Sequence, residues 1–290
     1  MTIVVDSDGL DVVNMESEDD LARSIREDGF LSESLESALP RFREINREWV
    51  DFSKDLNRLA LRFWIAHDNV VLGRTGMDPV SIACRIMLRA LSNFQAAIIL
   101  AERGLVAEAD CLSRGLYEAG FWLGYLSEEP TEAAGAFIAD EKNSQKSLLK
   151  HLRRIEEATP GVFGLDLAEI DRRISAVGPS KSQDLEELAK KAGHSLFYST
   201  YKRLSSGSAH ASLASTYAFM SKNADGTFSG HIFGPDVEGA MSSFSSACHG
   251  LILCIAGYSG VLGKTEQDAD LIAAFKRYEA LSIERDAGPE

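Results

Sequence analysis

The ten residues Tyr201-Lys-Arg-Leu-Ser-Ser-Gly-Ser-Ala-His210 gather a tyrosine, an arginine, three serines and a histidine between segments of ordinary amphipathic patterning. Arg203 and His210 lie seven residues apart. On a continuous helix that is two turns, so the pair shares one face. A convergent arginine and histidine can bind a phosphodiester and move its proton. The guanidinium fork matches phosphate oxygens, and the imidazole titrates near neutral pH. The same two side chains can equally form a buried polar pair, and the spacing fits both readings.

A second constellation lies ninety residues upstream. Asp110, Arg114 and Glu118 fall at i, i+4 and i+8 on a helix whose other positions are largely apolar. Charged side chains are seldom fully buried unless paired. The stripe is therefore either an internal ion-pair ladder that fixes helix register, or a surface turned toward Tyr201, Arg203 and His210 in one polar pocket. The candidate catalytic residues are Arg203 and His210. The candidate binding residues are Arg114, Tyr117, Glu118, Tyr201, Ser205 and Ser206.

Other chemistries lack their residues. None of the six histidines follows a glutamate by three positions, so the paired Glu-x-x-His pattern of a di-iron bundle is missing. Gly263-Lys264-Thr265 is not a phosphate-binding loop, because Tyr258 stands where the first glycine is needed. No Gly-x-Ser-x-Gly elbow occurs. No metal and no cofactor is expected. His231 and His249 are isolated, and His249, on an apolar helix face, reads as a satisfied core histidine.

These residues need a scaffold, and the patterning supplies an all-α one. Of the 290 residues, 45% are hydrophobic and 26% charged, the profile of a globular protein. Acidic residues outnumber basic ones by 44 to 30, for a net charge of −14, a poor field for a nucleic-acid binder. RNA is thus a partner that charge disfavours. Cys84, Cys111, Cys248 and Cys254 sit in apolar periodic segments without a Cys-x-x-Cys pair, as buried thiols of a reducing cytoplasm would. The acidic N-terminus is no signal peptide. The apolar runs near 82–100 and 251–262 are interrupted by arginines or too short to span a bilayer, so a cytoplasmic protein with no membrane partner is expected.

Periodicity places helices at 17–28, 32–71 with Pro40 in the first turn of its longer part, 79–103 behind an Asp78 cap, and 105–126. An outer helix with a basic face follows at 131–157, then short helices at 166–177 and 183–191. The first of these lies in a Gly- and Pro-marked stretch, 160–182, that reads as a lid or insertion. Further helices cover 195–220, 235–262 and 265–283, with a short extended loop or hairpin near 225–233. The expected architecture is a helical bundle with peripheral helices. Residues 1–16 form a flexible N-terminus and 17–290 a single domain with its core at about 79–262, built on 79–103, 105–126, 195–220 and 235–262. Its large apolar stripes suit a homodimer.

Ser113-Arg-Gly-Leu-Tyr-Glu-Ala119 with Tyr125-Leu126, followed by Tyr198, Tyr201-Lys-Arg-Leu-Ser205 and His210-Ala-Ser212, resembles a widespread bacterial family of helical proteins of unknown function. The resemblance spans roughly residues 80–260 and brings no activity with it. Arg203 and His210, with six residues between them, are also distantly similar to the signature of HEPN domains, four-helix bundles of toxins and phage-defence proteins. Leu204 stands where those domains prefer a polar residue. That resemblance implies a metal-independent endoribonuclease acting across a symmetric dimer. His210 would serve as general acid or base, and Arg203 would stabilise charge on the phosphate. The alternative is a non-enzymatic interaction or small-ligand-binding protein whose Arg/Glu/Tyr/His motif is a buried structural network.

Overall fold

The structure, a computed structural model, describes residues 18–209, 211–263 and 266–287. The N-terminal stretch 1–16 lies outside them. The chain is all-α. Helices α1 (Glu18–Asp28), α2 (Glu33–Ile45) and α3 (Arg47–Ile65) lead into α4 (Pro79–Ala101) and α5 (Val106–Glu128). Next come α6 (Pro130–Ala158), α7 (Leu167–Val177), α8 (Leu185–Lys191) and α9 (Tyr198–Leu204). The chain continues through α10 (Leu213–Thr216) and a small hairpin, β1 (Met220–Lys222) and β2 (Phe228–His231), to α11 (Ala240–Leu262) and α12 (Asp268–Ala287).

The helix starts follow from local chemistry. Asp78 Oδ1 accepts the Val80 N–H at 3.0 Å, and Pro79 occupies the first turn of α4, where its missing N–H costs nothing. Asp166 and Asp184 cap α7 and α8 in the same way. Gly104 turns the chain between α4 and α5 at φ +72°, and a Cβ there would come within 2.6 Å of the Asp236 nitrogen.

The centre is α3, α4, α5 and α11, with α5 and α11 in the most extensive contact. That contact is close because glycines face each other across it. A Cβ on Gly257 of α11 would lie 2.7 Å from the backbone nitrogen of Gly124 on α5. Around this seam Phe63, Met87, Phe121, Phe244, Leu251 and Tyr258 are fully buried. Pro79–Ala101 and Ala240–Leu262 are long and apolar enough to cross a membrane, contrary to the length expected for the second run. In this fold 50% and 72% of their most apolar windows are buried against other helices.

Three expectations need correction. Pro40 lies inside α2, and the 32–71 pattern is two helices that break at Asn46. There the Asn46 Nδ2 donates to the Val237 carbonyl at 2.9 Å, a tertiary tie invisible to periodicity. The 195–220 segment is not one helix. A 3-10 turn (Ser195–Phe197) precedes α9, a π-helical turn occupies Ser205–Ala209, and α10 and a second 3-10 turn follow. The fourth central helix is instead α3, whose Trp49, Phe52 and Phe63 extend the core to before residue 79. The hairpin matches its expectation: β1 and β2 pair antiparallel, Met220 opposite His231, around a turn at Asn223–Gly226.

Candidate functional site

Helix α5 carries the first half of the polar motif and α9 the second. Because α9 packs on α5, residues almost ninety positions apart meet. Arg114 is the hub. Its Nε donates to Ser205 Oγ at 2.8 Å, and its Nη2 donates to Tyr201 Oη at 2.7 Å and to Glu118 Oε1 at 3.1 Å. The Tyr201 hydroxyl in turn lies 3.4 Å from Glu118 Oε1. The guanidinium also sits 5.0 Å from the centre of the Tyr201 ring, and Tyr198 stacks with that ring at 5.7 Å. Tyr201 and Ser205 are four apart, so one side of α9 presents both to Arg114. The ion pair is half open to solvent: the Arg114 and Glu118 side chains keep 25% and 31% of their exposure.

The stripe does not continue to Asp110. That carboxylate accepts from Ser243 Oγ of α11 at 2.8 Å, and burial raises its pKa against the Ser243 hydrogen bond and the nearby charge of Arg203. Arg203 therefore belongs with Asp110 rather than with Arg114. It is exposed, and its Nη2 donates to Ser246 Oγ at 3.2 Å.

The helical face shared by Arg203 and His210 also disappears. α9 ends at Leu204, which is buried, and the backbone widens into the π turn. Its serines explain the change. Ser206 Oγ donates to the Arg203 carbonyl at 3.0 Å, Ser208 Oγ to the Leu204 carbonyl at 2.6 Å, and Ser212 Oγ to the Ser206 carbonyl at 3.0 Å. Such local bonds compete with the regular helical ladder, and Gly207 weakens it further. His210 lies outside the described residues.

Tyr117, one residue before Glu118 and about 100° around the helix, faces α11 instead. Its hydroxyl meets His249 Nδ1 at 2.8 Å, and the ring is fully buried, which pushes the phenol's pKa up. His249 is packed between Phe197, edge-on at 4.7 Å, and Tyr278, stacked at 5.3 Å. Burial, aided by the neighbouring His194, lowers its pKa to about 4. Tyr117 is thus held apart from the Arg114 network, and His249 is the satisfied core histidine its apolar face suggests.

Two clefts flank the Arg114–Glu118 pair. Arg114, Tyr198, Tyr201, Lys202, Ser205 and Ser206 line the smaller, about 490 Å³. Glu118 lines the larger, about 630 Å³, between α4, α5 and α6. Gln183 and Leu185, at the start of α8, wall both. The sequence offers no signal for these walls beyond the Asp184 cap that fixes where α8 begins. Among the described residues no group of three or more His, Cys, Asp or Glu side chains is placed to hold a metal ion.

No curated protein and no solved structure matches the chain. A family does. Residues 80–228, just over half of the chain and both halves of the Arg114 network, match the family of unknown function DUF5677, to which this protein belongs.

Proposed function

We propose that this protein is a non-enzymatic, small-ligand-binding helical protein in which the Arg/Glu/Tyr/Ser motif is a structural clamp. The observation that carries this reading is the closure of the network. Arg114 donates to Ser205, Tyr201 and Glu118 at once, and the last two also meet each other. Groups already committed to one another hold α9 on α5 and shape the clefts on either side. They are poorly placed to serve as an acid, a base or a nucleophile.

A second reading, metal-independent RNA cleavage by an HEPN-like homodimer, draws on Arg203. Its guanidinium is exposed and, among the described residues, donates to the Ser246 hydroxyl alone, so most of its fork is open to a phosphate just before the π turn that leads to His210. The buried Leu204 and the net charge of −14 weigh against it.

One experiment separates the two. The wild-type protein and the Arg203→Ala, His210→Ala and Arg114→Ala variants are incubated with single-stranded RNA and melted in parallel. The clamp reading expects intact RNA throughout and a lowered Tm for Arg114→Ala alone. RNA cleavage by wild type that both Arg203→Ala and His210→Ala abolish would overturn it.

A further inference from the structure

The larger cleft has a chemistry of its own. Its floor is apolar: Trp122 of α5 and Phe137 of α6 meet edge to face at 4.9 Å and 85°. A flat hydrocarbon body laid on that pair contacts the aromatic rings and displaces water from them. A volume of about 630 Å³ is that of a small-molecule site.

The polar groups around the floor divide into two carboxylates, each with one oxygen engaged, and side chains that can donate and have no partner. Asp140 accepts the Gln183 N–H at 2.8 Å, which, with Lys181 N–H to the Ala139 carbonyl at 3.2 Å, straps the 181–183 segment onto α6. Glu118 is held by Arg114 and Tyr201. One oxygen of each carboxylate is therefore engaged; Arg114 meets the charge of Glu118, and Arg85 and Arg89 together outweigh that of Asp140. Among the described residues, Arg89 has no ion pair or hydrogen bond, unlike Arg85 one turn earlier, which donates to the Ser81 and Gly76 carbonyls. The Asn93 amide and the Ser144 and Ser182 hydroxyls also have no partner there.

Asn93 reaches the wall because position 115 has no side chain: a Cβ on Gly115 would lie 2.7 Å from Asn93 Nδ2. Arg89 and Asn93 are four apart on α4, so both point into the same mouth. An uncommitted guanidinium, an amide and two hydroxyls over an aromatic floor call for a ligand that brings acceptors and negative charge. In a chain of net charge −14 such a cation is also a local focus for an anion.

We infer that the cleft between α4, α5 and α6 binds a small organic anion with a flat apolar body, its charged group at Arg89 and Asn93 and its body over Trp122 and Phe137. This rests on the reading of the protein as a ligand binder, but on side chains outside the Arg114 clamp. The test is calorimetric titration of the full chain with naphthalene-2-carboxylate, beside neutral 2-naphthamide and cationic 2-naphthylmethylamine.

Wild type binds one carboxylate per chain and prefers it to the other two probes. Arg89→Glu, a change at an exposed position, weakens it by about tenfold or more, the loss of one charge-assisted contact. Arg89→Ala weakens it as well and supplies the same comparison if the charge reversal disturbs folding. Lys202→Ala, which alters only the smaller cleft, leaves binding unchanged. Absence of carboxylate binding by wild type, wild-type affinity in both Arg89 variants, or preference for the amine would overturn the inference. RNA cleavage that depends on Arg203 and His210 would instead remove the parent reading, so the two failures are distinguishable.

Discussion

Tyr117 and Glu118 are consecutive, yet each anchors a polar cluster in a different medium. On the inner side of α5, Tyr117 and His249 form a hydrogen bond among aromatic rings, with the histidine held neutral by burial. On the outer side, Glu118, Arg114, Tyr201 and Ser205 form a charged cluster that water still reaches. The inner cluster is small in charge and large in buried area. The outer one has full charges and more hydrogen bonds. The physics of burial says the inner cluster contributes more to stability, because its loss leaves a cavity and an unpaired polar atom, whereas water can replace lost bonds outside.

The largest expected effect follows at once. Tyr117→Ala removes a fully buried ring and leaves His249 Nδ1 without its partner, a destabilisation of about 3–5 kcal/mol. Urea denaturation measures it, and a loss smaller than that of Arg114→Ala would reverse the ranking of the two clusters.

The inner cluster also has a pH signature. His249 has a folded pKa of about 4, below its ordinary 6.5. The unfolded chain therefore binds the extra proton first. The neutral histidine's contribution is complete above pH 6.5 and is lost as pH falls toward 4, a change on the order of 3 kcal/mol. His194, also lowered by burial, acts in the same direction. Stability measured from pH 7 to pH 4 should fall steeply in wild type and less steeply in His249→Phe. Parallel curves would place the acid sensitivity elsewhere.

Outside, Arg114→Ala breaks three hydrogen bonds, but the site is open enough for water to enter. The expected cost is about 2 kcal/mol, with Arg114→Lys recovering little, because an ammonium cannot span Ser205, Tyr201 and Glu118 as the planar fork does. Thermal melts of both variants decide this, and full recovery by lysine would mean that charge alone, not the fork, holds α9.

How much of this was legible depended on whether the cause was local. The Asp78-Pro79 start of α4, the Asp166 helix and the hairpin near 225–233 could be read because capping and turn chemistry act within a few residues. The i, i+4 spacing put Arg114 and Glu118 on one stripe, but whether that stripe was an internal ladder or faced Tyr201 stayed open, because spacing along one helix does not name the helix packed against it. What the spacing could not supply was the partner of Asp110, since Ser243 lies on α11 and looks like any small core-helix serine. Nor could it supply the end of α9, where four serine hydroxyls and a glycine defeat a pattern that looks continuous. The clefts were illegible for the same reason: Arg89, Trp122, Phe137 and Gln183 come from four separate segments and meet only in the fold.

The smallest effect tests the outer cluster's link to the π turn. Ser205 accepts from Arg114 Nε at 2.8 Å and is also the first residue of that turn. Ser205→Ala removes an acceptor that water can replace at the half-open edge, so the cost in stability should be only about 0.5 kcal/mol. The turn itself should respond more. With Ser205 no longer held toward α5, residues 205–208 lose one restraint that favours the wider backbone over a regular helix, whereas the Ser206 and Ser208 bonds remain. Amide hydrogen exchange should then quicken at Ser206–Ser208 while protection in α5 and α11 is unchanged. Unaltered exchange in the turn would show that the serines' own bonds to backbone carbonyls hold the π geometry, and that the Arg114 clamp ends at Tyr201.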